Sequence, residues 1–239
     1  RLAAAGAKLA VSRLYADYRA LLAAEKTAIA VLWPTSVTER VPMIEAAAGA
    51  GVDAVKFQTY KAEKLASRDS PAYWDTTLEQ SDSQFKLFKR YDSFEIKDYE
   101  KLKLRCDEVG VEFLSTPFDD DSVDFLSDMM DVFKVSSSDI TNKPLIERIC
   151  RKGKPIILST GAAEISEIDE AVGWIDRFEV PAALMHCVLS YPTPDSDANL
   201  GMIRGLQKKF PRRVIGYSDH TMPRDMKTLE VAALLGAEV

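Results

Sequence analysis

GKPIILSTGAAEISEIDEAVGWIDRFEVPAALMHCV, residues 153–188, reads as a strand, a polar tip, a helix and a second strand. Residues 155–160, "PIILST", are apolar up to a hydroxyl pair, and residues 182–188, "AALMHCV", repeat that grammar. Between them Ile165, Ile168, Val172 and Ile175 recur three and four apart, which gives one apolar helical face. Gly153 stands just before the first run, where a helix-ending glycine belongs. Strands almost continuous in apolar character and joined by helices imply a parallel sheet covered on its faces.

The same unit recurs outward in both directions. "VDAVKFQ" (52–58), "VEFLST" (111–116), "VFKVSS" (132–137) and "RVIGYSD" (213–219) are further β-branched runs with polar tips. "TAIAVLW" (27–33) supplies a first strand and makes seven, and an eighth would begin at "AEV" (237–239). The chain contains no Gly-x-Gly-x-x-Gly and no Walker-type loop, which weakens a nucleotide-binding open sheet. A polar tip on nearly every strand instead suits the C-terminal face of a (β/α)8 TIM barrel. The expectation is one α/β barrel domain over residues 29–239, incomplete at strand 8. Residues 1–28 precede it as an amphipathic helix, with Val11, Leu14, Tyr18 and Leu21 at helical spacing. Residues 59–95 form a long connection whose aromatics argue for an ordered binding loop rather than disorder.

Composition narrows the function. The 239 residues are 46% hydrophobic and carry a net charge of -6, with no block of basic residues. Nucleic acid is therefore not an expected partner. No apolar run approaches the ~18 residues of a membrane span. Three scattered cysteines lack metal-finger spacing and fit a cytoplasmic protein.

Chemistry gathers at the strand tips. Residues two apart on a strand share a face, so Lys56 and Gln58 point together, as do Ser218 and His220. A lysine inside an apolar run is costly to bury unless it meets an anion, and Lys134 in "FKVSS" repeats the situation of Lys56. Thr116, Ser136, Ser137, Ser138, Ser159, Thr160 and Ser218 add hydroxyl donors, so the mouth suits a phosphate or carboxylate. Helix capping is the competing use for these hydroxyls, and for Asp119, Asp139 and Asp219. Cys187 adjoins His186, but adjacent strand residues face opposite ways and form no dyad. His220 is open between a metal ligand and an ordinary loop histidine.

Taken together, "DAVKFQTYKAEKL", "GVEFLSTPFD", "FKVSSSDITN", "GKPIILSTGAA", "HCVLSYPTP" and "GYSDHT" resemble the N-acetylneuraminate (sialic acid) synthase family, in order from about residue 43 to 239. The resemblance implies a TIM barrel that condenses phosphoenolpyruvate with the open-chain aldehyde of an N-acylated sugar, using a divalent metal such as Mn2+ or Mg2+. It implies that Lys56, Thr116, Lys134, Ser137, Ser159 and Ser218 bind phosphoenolpyruvate. Gln58 and Tyr191 would bind the sugar, Asp139 would stand beside the reacting atoms with Lys56 and Lys134, and His220 would be a metal ligand.

Residues 28–41, "AIAVLWPTSVTERV", depart from the family's first-strand pattern, and no counterpart of its glutamate near the sugar is found there. The family's second metal histidine would follow Val239. Its C-terminal antifreeze-like domain, which lends an arginine across a homodimer, is absent from this sequence. Leu189 stands where some members carry a polar sugar-binding residue. Two other readings stand beside the first: another phosphoenolpyruvate-condensing synthase of 3-deoxy-keto acids, and a truncated, non-catalytic family member.

Overall fold

The computed structural model describes residues 29–31, 37–72, 74, 76–77, 79–222 and 226–239. The helix expected over residues 1–28 lies outside the described residues. These fall into two compact units, one ending at Asp131 and the other Val132–Val239.

The first unit contains β1 (Ile29–Val31), α1 (Val37–Ala50), β2 (Ala54–Thr59), α2 (Ala62–Leu65), α3 (Gln84–Tyr91), α4 (Ile96–Val109), β3 (Glu112–Pro117) and α5 (Asp120–Leu126). Its strands pair in parallel in the order β1-β2-β3. Phe57 of β2 and Phe113 of β3 are fully buried, and their rings stack with centroids 5.4 Å apart. Burying each such side chain contributes roughly 1.5–3 kcal/mol. α4 begins with a reciprocal capping box, in which Glu95 and Asp98 each accept from the other's backbone N–H. It ends at Gly110, whose φ of +77° is the left-handed conformation that lets Val111 N–H donate to the Cys106 carbonyl at 3.0 Å.

The long connection after β2 is ordered by two short helices and by ties back to its own start. The Asp92 carboxylate, almost sealed from solvent, accepts from Ala62 N–H at 2.9 Å and pairs with Lys61 at 3.4 Å. Lys89 reaches Glu63 at 2.8 Å, and Tyr60 meets Phe88 and Phe118 edge-on.

The second unit contains β4 (Phe133–Val135), a 3-10 turn (Ser137–Asp139), α6 (Lys143–Cys150), β5 (Ile156–Ser159), α7 (Ile165–Asp176), β6 (Ala182–His186), α8 (Gly201–Lys209), β7 (Val214–Tyr217) and α9 (Lys227–Leu234). Its sheet is parallel in the order β4-β5-β6-β7. α7 buries Ile168, Val172 and Ile175 as its periodicity requires, but Ile165, at the first turn, is exposed.

All seven strands read from the sequence are present, alternating with helices. The fold is α/β with parallel sheets, and the expected eight-stranded ring is not closed: pairing runs through a three-stranded and a four-stranded sheet. Glu238 N–H donates to the Ile215 carbonyl at 2.9 Å and Tyr217 N–H to the Val239 carbonyl at 2.8 Å, so the last residues follow β7 in a parallel sense. Gly216 permits this approach, because a Cβ there would stand 2.5 Å from the Val239 oxygen. Among the described residues, no helix is long and apolar enough to cross a membrane.

Candidate functional site

In the first unit, parallel register places Gln58 beside Thr116 and Lys56 beside Leu114. Side chains paired in register share a face, so Lys56, Gln58 and Thr116 form one polar group at the C-terminal ends of β2 and β3. The alternate residues, Thr59 and Ser115, satisfy each other across the other face through hydroxyls 2.7 Å apart. Tyr99 of α4 donates to the Gln58 carbonyl at 3.1 Å and fixes the end of β2.

Lys56 is half-buried, and among the described residues its ammonium makes no hydrogen bond or ion pair. Desolvation lowers its pKa from 10.5 to about 8. A cation held in an apolar strand without a carboxylate is an open request for an anion. Asp119, by contrast, is occupied as a cap of α5, accepting from Ser122 N–H at 3.0 Å, and pairs with Lys64 at 3.3 Å. Capping is the reading that holds there.

In the second unit, Lys134 and Ser159 do meet. The buried Lys134 Nζ donates to Ser159 Oγ at 2.5 Å and to the Val135 carbonyl at 2.8 Å. Ser137 is buried in the 3-10 turn directly beyond β4. Ser136 caps that turn, accepting from Ser138 N–H at 3.4 Å. Asp139 closes the turn and accepts from Asn142 Nδ2 and Ser138 Oγ, each at 3.3 Å. Burial raises its pKa above the usual carboxylate value, and those two donors pull against the rise. Thr160 Oγ1 donates to the Met185 carbonyl at 3.1 Å. Gly161 lies flat against β6, since a Cβ there would stand 2.6 Å from Cys187 Sγ and 2.7 Å from the Cys187 carbonyl oxygen.

The tips of β6 and β7 form the densest cluster. Ser218 N–H donates to the His186 carbonyl at 2.8 Å, and Thr193 N–H donates to the His220 carbonyl at 2.8 Å. The His220 ring lies 4.2 Å from that of Tyr191, centroid to centroid, and its Nδ1 is 2.6 Å from the Val188 carbonyl. β7 ends at Tyr217, so Ser218 and His220 belong to the loop beyond it and do not share a strand face as their spacing suggested. Asp219 accepts from Tyr217 OH at 3.0 Å, from Thr221 N–H at 2.9 Å, and from the hydroxyls of Thr221 and Thr228 at 3.1 Å each.

Sequence reading missed the Val188 carbonyl and Thr228. A backbone carbonyl has no sequence signature, and Thr228 reads only as part of the next helix. His186 lies on the opposite side of its strand from the neighbours of Ser159. It stacks on Tyr217 at 5.7 Å, and its Nε2 donates to the Ala198 carbonyl at 2.8 Å. Burial lowers its pKa.

The described residues do not make a metal centre by themselves. No group of three or more His, Cys, Asp or Glu that could hold an ion occurs among them, and His220 offers a single imidazole.

The NeuB family model matches residues 43–239. An uncharacterized Methanocaldococcus jannaschii protein is 39% identical over 199 residues, covering 82% of this chain and 54% of its own length. An N,N'-diacetyllegionaminic acid synthase of Campylobacter jejuni is 36% identical over 202 residues, 82% of this chain and 59% of that enzyme. The chain thus spans a little over half the length of these relatives. Among solved structures, an N-acetylneuraminic acid (sialic acid) synthetase from Leptospira borgpetersenii superposes with a TM-score of 0.76 at 32% identity. That match covers 88% of this chain and 70% of the other.

Proposed function

The chain belongs to the NeuB family, and from that premise we propose that it handles phosphoenolpyruvate in a sialic-acid-type synthase. The reaction joins the enol carbon of phosphoenolpyruvate to the aldehyde carbon of an N-acylated aminosugar. Water adds at the carbon bearing the phosphate, and phosphate leaves to give a nine-carbon 2-keto-3-deoxy acid.

The observation that carries this reading is Lys56, a cation in an apolar strand with no anionic partner among the described residues. Phosphoenolpyruvate has two anionic groups, a phosphate and a carboxylate, and lysine flanked by hydroxyls receives either. Lys56 with Thr116 offers one such set in the first unit, and Lys134 with Ser159, followed by Ser137 in the turn beyond β4, offers another in the second. Ser218 adds a hydroxyl beyond β7. An ammonium group of either set would stabilise the charge that accumulates on phosphate as its bond breaks. Asp139, whose pKa burial raises, is the residue we assign to exchange a proton with the reacting oxygen. We assign the Gln58 amide and the exposed Tyr191 ring, each in its own unit, as candidate sugar contacts.

His220 is the described residue that would contribute to a divalent cation such as Mn2+ or Mg2+, and one imidazole is an incomplete set. When bound, such an ion supplies Lewis-acid polarisation of the aldehyde. The whole protein is proposed to work as a cytoplasmic homodimer.

Carbon counting selects the acceptors to test, since nine carbons minus the three of phosphoenolpyruvate leave a hexose. A phosphate-release assay with phosphoenolpyruvate, Mn2+ and N-acetylmannosamine, its 6-phosphate or a diacetamido-hexose is expected to turn over with one of these acylated sugars. Turnover only with an unacylated aldose phosphate would sink the reading in favour of a 3-deoxy-keto-acid synthase of another class.

A further inference from the structure

Val188 O, His220 Nδ1 and the four-donor Asp219 cluster meet at the tips of β6 and β7. From this juxtaposition we propose that His220 is locked as its Nδ1–H tautomer, with Asp219 and Thr228 as positioning residues that hold it there. A carbonyl oxygen only accepts, so the 2.6 Å contact between His220 Nδ1 and the Val188 carbonyl requires a proton on Nδ1. In the neutral ring the lone pair is then on Nε2. His186 is set the other way, because its Nε2 lies 2.8 Å from the Ala198 carbonyl and must carry the proton. The two histidines of this chain are held as opposite tautomers.

Free imidazole side chains in water favour the Nε2–H form, so the His220 arrangement needs an external hold. The loop supplies it at three points. The His220 carbonyl accepts from Thr193 N–H, which fixes the backbone on one side of the ring. Tyr191 covers the ring at 4.2 Å. Asp219, one residue earlier, gathers Tyr217, both donors of Thr221 and the Thr228 hydroxyl of α9. Without the carboxylate, four donors from a strand, a loop and a helix lose their common acceptor, and the backbone carrying His220 loses its bearing on Val188.

A ring nitrogen that donates to a backbone carbonyl is the usual means of orienting a histidine whose other nitrogen receives a metal or a proton. The inference deepens the proposed function, and only its consequence for catalysis rests on that reading. The tautomer itself is measured without turnover, so an inactive protein and a wrongly assigned tautomer are separate failures.

The test is nitrogen–proton correlation NMR of the imidazole rings in 15N-histidine-labelled protein above pH 7, with His220→Gln identifying the signals. The expected spectrum shows a lone-pair nitrogen at Nε2 for His220 and at Nδ1 for His186. The same lone-pair position in both rings overturns the proposal. In Asp219→Ala and Thr228→Val the His220 signals are expected to move toward tautomer averaging while His186, as internal control, stays fixed. If Asp219→Ala disturbs both rings, Thr228→Val decides. His220 signals that match the parent's in Thr228→Val, or in an Asp219→Ala that leaves His186 fixed, remove the positioning role.

Discussion

Replacing Lys56 with methionine is expected to make the ligand-free protein more stable and unable to respond to phosphoenolpyruvate. At about 1.4 kcal/mol per pH unit, the fall of the Lys56 pKa from 10.5 to about 8 corresponds to about 3 kcal/mol of unfavourable burial. Lys56 is half-buried rather than sealed, and solvent screening brings the expected gain near pH 7 to about 1–2 kcal/mol. For a domain of this size that is a rise in Tm of roughly 2–4 °C per kcal/mol. The sign follows from proton counting. Between pH 8 and 10.5 the unfolded chain holds a proton on this lysine that the folded chain has released, so the parent gains stability as pH rises through that window. The variant has no such gain, and the gap between the two should narrow from pH 7 to pH 10. Phosphoenolpyruvate should raise the Tm of the parent and leave the variant unmoved. Thermal and urea unfolding at the two pH values, with and without phosphoenolpyruvate, measure all of this. A Lys56→Met protein less stable than the parent at pH 7, or one still stabilised by phosphoenolpyruvate, would refute the reasoning.

Phe113→Ala should destabilise by about 3–5 kcal/mol in urea titration, because it empties a fully buried site stacked on Phe57. Gly216→Ala should cost about 1–3 kcal/mol by crowding the Val239 carbonyl, and hydrogen exchange should show the Tyr217 amide losing protection. Burial lowers the folded pKa of His186 below 6.5, so the unfolded state binds more protons as pH falls from 6.5 toward that value and stability drops with it. Thermal unfolding from pH 7 to 5 should show that drop, and His186→Phe should flatten it.

The strands and the charged strand residues were legible because both rest on local rules. A lysine between Val55 and Phe57 announces itself by its cost, and among the described residues no carboxylate pairs with it. Hydroxyl-rich tips were less decisive, since Ser136 turned out to cap a turn and Asp119 a helix while Ser159 received Lys134. The orientation of His220 was not legible, because it depends on a carbonyl 32 residues away and on a threonine in the following helix. Residues 59–95 read as one ordered loop, and the two short helices within it arise from contacts such as Asp92 with Ala62 that no periodicity encodes.

The flat contact between Gly161 and Cys187 makes the thiol a clock. Cys187 is buried, and the backbone at Gly161 lies directly over its sulfur, so a small alkylating reagent gains access only when the segment after β5 lifts away. The rate of modification then reports how often that segment opens. Because Thr160 begins that segment and Ser159 ends the strand just before it, any ligand that engages their hydroxyls should slow the clock. Cys106 of α4 and Cys150 of α6, both buried, provide the reference rates.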